Sequence, residues 1–410
     1  MNRDNKMTKF RLLFMGTADN LLPNPDVDLN KWATLSADEK KCDKAYWEET
    51  AKNAGEAPST VHLSYPDAFM MTDDEETQAA RIKEIAKKSL EYFDTLYEEV
   101  TEKESDGFIY VKRETSNGTR KGVLMSLDLK AVGEDGLYRV GQAVCPKKVD
   151  VLAKVRQEAT MELPHVIMFA NDKDNSLFAH EKEYEEINLY DVNLNDNAGN
   201  VKGYELKGEK VYYVADAFKE LSEKAEGPVL VSAYGEDYLM AAKQYYEYLV
   251  EQVGENFLKD HPLRYTLVEV VNMYDEAIKI TPVHRVLAGA TKATVEELVA
   301  NIEGATLVDG EGQIKVMGKD FECGIQIGEN YLNKLQAAIE KLGLEVKTPA
   351  CVNCATKAAQ NGDVALIMPE IEKDTFFETI AKFGPMPKNS FRIGKPEDMR
   401  YYVETRRIQM

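Results

Sequence analysis

Cysteine, tryptophan and positive charge are all scarce in this sequence. Of 410 residues five are Cys and two are Trp, and 51 Lys and Arg face 71 Asp and Glu, for a formal charge of −20. An odd number of scattered cysteines excludes a disulfide framework and suits a reducing compartment. The deficit of cations excludes a general nucleic-acid binder, because affinity for the phosphate backbone comes mainly from Lys and Arg. No apolar run approaches the ~18 residues of a membrane span. The opening stretch MNRDNKMTKFRLLFMG has neither a long apolar core nor a small-residue cleavage site. A cytoplasmic protein is therefore expected, with a small molecule or a protein as partner and neither nucleic acid nor membrane. Also missing are G-x-x-x-x-G-K-[ST], G-x-G-x-x-G after a strand, G-x-S-x-G and H-E-x-x-H. The familiar nucleotide, dinucleotide, hydrolase and zinc-protease classes thus have no support in motif.

What is present is ordinary globular material, 44% apolar and 30% charged. The length exceeds the roughly 250 to 300 residues at which one core stops growing, so two or three subdomains are expected. Residues 1–290 read as a main α/β domain, 291–345 as an inserted unit alternating helix and short strand, and 346–410 as a C-terminal segment returning to the main domain. A strand is expected at 10–16, and helices at 37–54 and 72–100. The second helix carries Ile82, Ile85, Leu90, Phe93 and Leu96 on one face. A hairpin is expected to turn at Asn117-Gly118, a pair that tolerates positive φ, and a second at Gly208 within KGYELKGEKVYYV. The class is α/β or α+β, with a mixed sheet and flanking helices.

One stretch invites a chemical reading. In VSAYGEDYLMAAK (231–243) an apolar strand turns through Gly235 into a helix. Such turns often bind phosphate, because free N–H groups and the positive end of the helix dipole point out of them. This one carries Glu236 and Asp237, which either hold a cation or metal or cap a helix; capping is the simpler expectation. His165, His261 and His284 each stand beside a proline at the edge of an apolar strand, where side chains project into pockets. Arg139, Lys243, Arg264, Arg285 and Lys388 are the cations near strands or turns with apolar flanks. Cys351 and Cys354 have the spacing of a zinc or redox pair, yet structural zinc normally needs four ligands and no second pair occurs.

Taken in order, several strings resemble one family over nearly the whole chain. They are LLPNPDVDLNKWA, YWEE, APSTVHLSYP, GFIYVKRETSNGTRKGVLMSLDL, KVRQEATMELPHVIMF, HPLRYTLVEVVNMYDEAIKITPVHRVL and MPKNSFRIGKPEDMRYYVETRRI. The family is the bacterial domain of unknown function 1015, in its clostridial long form. The resemblance implies a core similar to ParB-like and sulfiredoxin-like folds, and a link to ATP-dependent phosphorylation of small molecules such as free serine.

The polar strings depart from the family while the packing strings persist. Where relatives read A-C-D-Q-F-T-S, this chain keeps only Asp38. The glutamate of their R-A-T-E-G-T is Gln142, which preserves shape and removes an ionisable group. Their G-D-G-N-H-S turn has become Ala233 to Tyr238, with Asp237 in place of histidine, and one of two adjacent cations near Lys388 is gone. Phosphoryl transfer would draw on Asp38, Arg139, Lys243, His284, Arg285 and Lys388, with Mg²⁺ on Glu236 and Asp237 and ATP as cofactor. Loss at four polar strings favours the other reading, a diverged, non-catalytic member that binds a metabolite or a partner subunit.

Overall fold

The computed structural model describes residues 20–35, 43–94, 103–105, 108–194, 198–395, 398 and 401–409. The expected strand at 10–16 and the candidate Asp38 lie outside them. The chain divides into two compact units, one of Met1–Val140, Val144–Ile278 and Gly394–Met410, the other of Gly141–Ala143 and Lys279–Ile393. The segment expected at 291–345 lies inside the second unit, and the 346–410 tail is shared, with residues from 394 onward in the first.

The first unit begins with β1 (Asn20–Leu22), α1 (Lys44–Ala54), α2 (Glu75–Asp94), β2 (Phe108–Thr115), β3 (Gly118–Asp128) and β4 (Tyr138–Arg139). It continues with α3 (Pro146–Glu158), β5 (Met161–Glu162), β6 (Val166–Ala170), β7 (Asn188–Asn193), β8 (Asn200–Leu206), α4 (Glu209–Lys224), β9 (Leu230–Tyr234), α5 (Glu236–Val253) and β10 (Tyr265–Asn272). Eight strands form one sheet in the order β4-β9-β6-β10-β3-β2-β8-β7. It is mixed, since β6 runs parallel to β10 and β4 to β9 while the other neighbours are antiparallel.

The central strands read V-I-M-F-A and Y-T-L-V-E-V-V-N and are buried throughout, as strands covered on both faces must be. One face, with Val123, Met125, Met168 and Val268, packs under Phe218 and Leu221 of α4 and Leu239, Ala242 and Tyr246 of α5. The opposite face buries charge: Arg120 Nε lies 3.4 Å from Glu269 Oε1. A Cβ on Gly122 would come within 2.6 Å of that oxygen, so only glycine leaves room for it.

Three local expectations change. Thr115 pairs with Gly118, so the hairpin turns at Ser116-Asn117, one residue earlier than expected, and Gly118 opens β3 at φ 121°. Asp398 meets the turn at this place: its carboxylate accepts the Ser116 N–H at 2.7 Å and its hydroxyl at 2.6 Å. Gly208, at φ 62°, ends β8 and precedes a helix, so no second hairpin forms. The apolar residues after it, Val214, Ala217, Phe218 and Leu221, repeat every three or four positions and bury one helical face. In α2, Ile82 and Ile85 are buried but Leu90 is 49% exposed, and Ser89 and Tyr92 take the inner side.

The second unit comprises β11 (Ile280–Pro282), β12 (Arg285–Leu287), α6 (Lys292–Ala300), β13 (Thr306–Val308), β14 (Ile314–Met317), β15 (Glu322–Gln326) and α7 (Tyr331–Lys341). It then runs through β16 (Val346–Lys347), α8 (Val352–Gln360), β17 (Val364–Ile367), α9 (Lys373–Phe383) and β18 (Phe391–Ile393). Its six-stranded sheet has the order β13-β15-β14-β17-β12-β16, and Ala355 and Ala359 of α8 pack on Val286 and Ala365. Because β14 pairs with β17, residues 291–345 share one sheet with strands on either side of them. Residues 141–143 join by the bonds from Ala143 N to Met386 O at 2.7 Å and from Met386 N to Gly141 O at 2.9 Å. After this unit β19 (Thr405–Arg407) pairs with both β1 and β5 in the first.

Candidate functional site

The turn at 234–238 leads from β9 into α5. Gly235 holds φ 83°, and a Cβ there would sit 2.3 Å from the carbonyl oxygen of His165, so the turn lies against the chain just before β6. That contact brings together two of the features singled out in sequence. The His165 ring stacks on Tyr238, 3.7 Å between centroids at 6°, and its Nδ1 lies 2.5 Å from the Tyr402 hydroxyl. Burial pushes the imidazole down to about 3, against the opposing pull of Glu162 and Asp67. An imidazole held there is neutral at ordinary pH and a weak base.

Asp237 points away from α5 toward the start of α3. Its Oδ1 accepts the N–H of Cys145, the residue capping α3, at 2.7 Å. Pro146 occupies the first position of α3, where a missing N–H costs nothing. One turn on, Lys148 is buried; it is bonded to Asp67 and stands 4.0 Å from Asp237 Oδ2. Glu236 accepts the Ser232 hydroxyl at 3.2 Å. Lys148 and the carboxylates of Asp67 and Asp237 thus form an ion cluster at the N-termini of α3 and α5. The charge that a bound anion would supply at the α3 terminus comes from Asp237 itself.

Behind this cluster Glu162 is held by Arg406 Nε at 2.7 Å, by Arg156, and by the Leu267 N–H at 3.0 Å. Burial alone would raise its carboxyl, but the two guanidiniums outweigh burial and hold it below the usual range.

The remaining candidates serve the backbone or other side chains. Gln142 Oε1 accepts N–H groups from Ser390 at 2.7 Å and Phe391 at 3.2 Å. His284 Nδ1 accepts from the Met368 N–H at 3.1 Å, and burial followed by the charge of Arg285 lowers its pKa. Arg285 donates to Asn389 O at 2.8 Å and lies 3.5 Å from the Lys388 carbonyl; burial lowers it to about 10. His261 Nδ1 accepts the Leu263 N–H at 3.1 Å, capping a short 3-10 turn. Arg264 grips Asp128 at 2.6 Å, Lys243 meets Glu247 at 3.2 Å, and Arg139 Nε lies 3.4 Å from Gly136 O. Cys351 and Cys354 are exposed thiols on the first turn of α8. Gln142, His284, Arg285, Lys388, Cys351 and Cys354 belong to the second unit; His165, His261, Glu236 and Asp237 belong to the first. Among the described residues no group of three or more His, Cys, Asp or Glu is arranged to hold a metal, and no helix is long and apolar enough to cross a membrane.

Sequence reasoning missed Asp67, Lys148, Tyr402 and the Arg156–Glu162–Arg406 set. The available signals were the Cys145-Pro146 helix start before Lys148 and the single acid in the ELPH string.

The pattern of the family described as Protein of unknown function (DUF1015) matches residues 21–369. The chain belongs to the DUF1015 family. No curated protein matches it. Among solved structures it is similar to a free serine kinase in complex with AMP, at 10% identity and TM-score 0.40, over 70% of this chain and 92% of that one. A conserved hypothetical protein from Pyrococcus furiosus gives 10% identity and TM-score 0.36, over 68% and 97%. SbnI with a C-terminal truncation from Staphylococcus aureus gives 9% and 0.38, over 66% and 82%. In this DUF1015 protein the turn, Gln142 and His165 fall inside the matched span, whereas Tyr402 and Arg406 fall beyond it.

Among the described residues several cavities have defined walls. Beneath the turn, Tyr65, Leu152, Glu162, His165, Tyr238 and Ala241 are among the residues lining about 60 Å³. Also in the first unit, Asp28, Lys31, Thr34, Tyr46, Thr50 and Asn53 are among those lining about 480 Å³. In the second, Tyr331, Glu370, Glu372, Phe376 and Lys382 border about 380 Å³. Ligand pockets typically span about 300–1,000 Å³, so the space under the turn admits little more than water.

Proposed function

We propose that this DUF1015 protein is a non-catalytic member of its family that binds a small polar metabolite. The reading rests on the Asp237 carboxylate, which takes the N–H of Cys145, the N-cap residue of α3, and lies beside the buried Lys148 ammonium. Phosphoryl transfer needs a cation or metal clamp on the phosphates and a base for the acceptor hydroxyl. Here Lys148 is engaged by Asp67, and His165 is too weak a base at neutral pH. The ligand's place is the cavity of about 480 Å³, whose walls offer hydroxyls, amides, one carboxylate and one ammonium. Asp28 and Lys31 carry opposite charge there, which suits a zwitterion such as a free amino acid.

Thermal melting with the common free amino acids, and with ATP and ADP with and without Mg²⁺, tests both halves. An amino acid at a hundred times its Kd should stabilise the fold by ~2.7 kcal/mol, and the nucleotides should leave it unmoved. Asn53 is exposed at the pocket wall, so Asn53→Trp should fold normally and lose the response. Mg²⁺-dependent ATP consumption that disappears in Asp237→Ala would overturn the non-catalytic reading. An absence of stabilisation by every amino acid at millimolar concentration would overturn the ligand class.

A further inference from the structure

Cys351 is the N-cap of α8, a nine-residue helix, and Cys354 lies on its first turn. The Cys354 N–H donates to the Cys351 carbonyl at 3.0 Å, closing a single turn between the two residues. Such a turn keeps its end Cα atoms within about 7 Å, and a disulfide spans about 4.4–6.8 Å between Cα atoms. Both thiols are exposed, and Val352 between them is 49% exposed. Zinc is a poor fit, because a structural site takes four ligands and no His, Cys, Asp or Glu completes a metal-holding group among the described residues.

We propose that Cys351 and Cys354 are a redox-active dithiol that exchanges with the disulfide of a low-molecular-weight thiol. Cys351 is the attacking group. Its pKa is lowered, chiefly by the neighbouring Cys354 side chain, with the nearby backbone N–H groups and the charge of Lys357 acting in the same direction. Cys323, by contrast, is buried and its thiol is pushed up by that burial, and Cys145 is half-buried. The Cys351 thiolate attacks one sulfur of the disulfide, forming a mixed disulfide and expelling one thiolate. The Cys354 thiol then loses its proton, attacks Cys351 Sγ and expels the second. The two departing thiolates take up the two cysteine protons. The protein pair is oxidised by two electrons, and one small disulfide becomes two thiols.

The test uses the full-length protein with glutathione disulfide, followed by acid quench, alkylation and mass mapping of cysteine peptides. The expected product is a Cys351–Cys354 disulfide, reversed by dithiothreitol, with Cys323 still reduced. Cys354→Ser should stop at one glutathione on Cys351. Cys351→Ser should slow oxidation at Cys354 by about tenfold or more, as loss of the more ionised thiol demands. Both positions are exposed, and unchanged melting curves for the two variants would show intact folding. The proposal is overturned if Cys351 and Cys354 stay reduced, if the wild type accumulates the unresolved mixed disulfide, or if stoichiometric zinc in the native protein shields both thiols from alkylation.

Discussion

Gln142 holds two successive backbone N–H groups, those of Ser390 and Phe391, through one amide oxygen. Glutamate offers the same oxygen, so Gln142→Glu should leave stability nearly unchanged. Gln142→Ala strands two buried donors and should cost about 1–3 kcal/mol, read from denaturant midpoints. His165 makes a second prediction at this scale. Its pKa is depressed from 6.5 to about 3 in the folded chain. The unfolded chain therefore takes up a proton that the folded chain refuses, and stability falls as pH drops from about 6.5 toward 3, by up to ~1.4 kcal/mol per unit. His165→Gln should lose stability at pH 7 through the broken stack on Tyr238, yet show a shallower fall with acid. Parallel pH profiles of urea midpoints for the two proteins would refute the assignment.

Among the elements, β5 and β19 are tied to α3 through the buried Arg156–Glu162–Arg406 set. Glu162→Gln leaves two buried guanidiniums without their anion and should cost about 3–5 kcal/mol, measured by chemical unfolding. The central strands were legible because β6 is a continuous apolar run and β10 is rich in Val, Leu and Tyr despite its Glu269, and the turn was legible because one glycine separates a strand from an amphipathic helix. α4 was misread because Val211, Tyr212, Tyr213 and Val214 look like strand residues locally, whereas burial follows the helical period set by Val214, Phe218 and Leu221. The partners of the turn were illegible for a different reason. Asp67 stands 81 residues before Lys148, and Tyr402 stands 237 residues after His165, so no local spacing encodes either pair.

At the scale of the molecule the net charge of −20 dominates. Many of the ion pairs among the described residues, such as Lys224 with Asp174 and Lys382 with Glu329, are exposed and worth little. Self-repulsion should outweigh them. Raising NaCl from about 10 to about 150 mM, which shortens the screening length from about 30 to about 8 Å, should lift the melting temperature by about 2 °C. A fall in melting temperature with added salt would mean that the exposed pairs prevail.

The pairing of β19 with β1 and β5 also bears on how the molecule is made. Synthesis delivers Asn20 long before Arg406, its register partner, and delivers the second unit in between. Trp32 waits as long for the carbonyl of Val403, which it meets at 2.7 Å. On the ribosome the first unit therefore remains unfinished until its last strand emerges. A nascent chain stalled before residue 400 would display β1, β5 and the Trp32 indole to chaperones and proteases, a molecular mark of incompleteness that only the final strand erases.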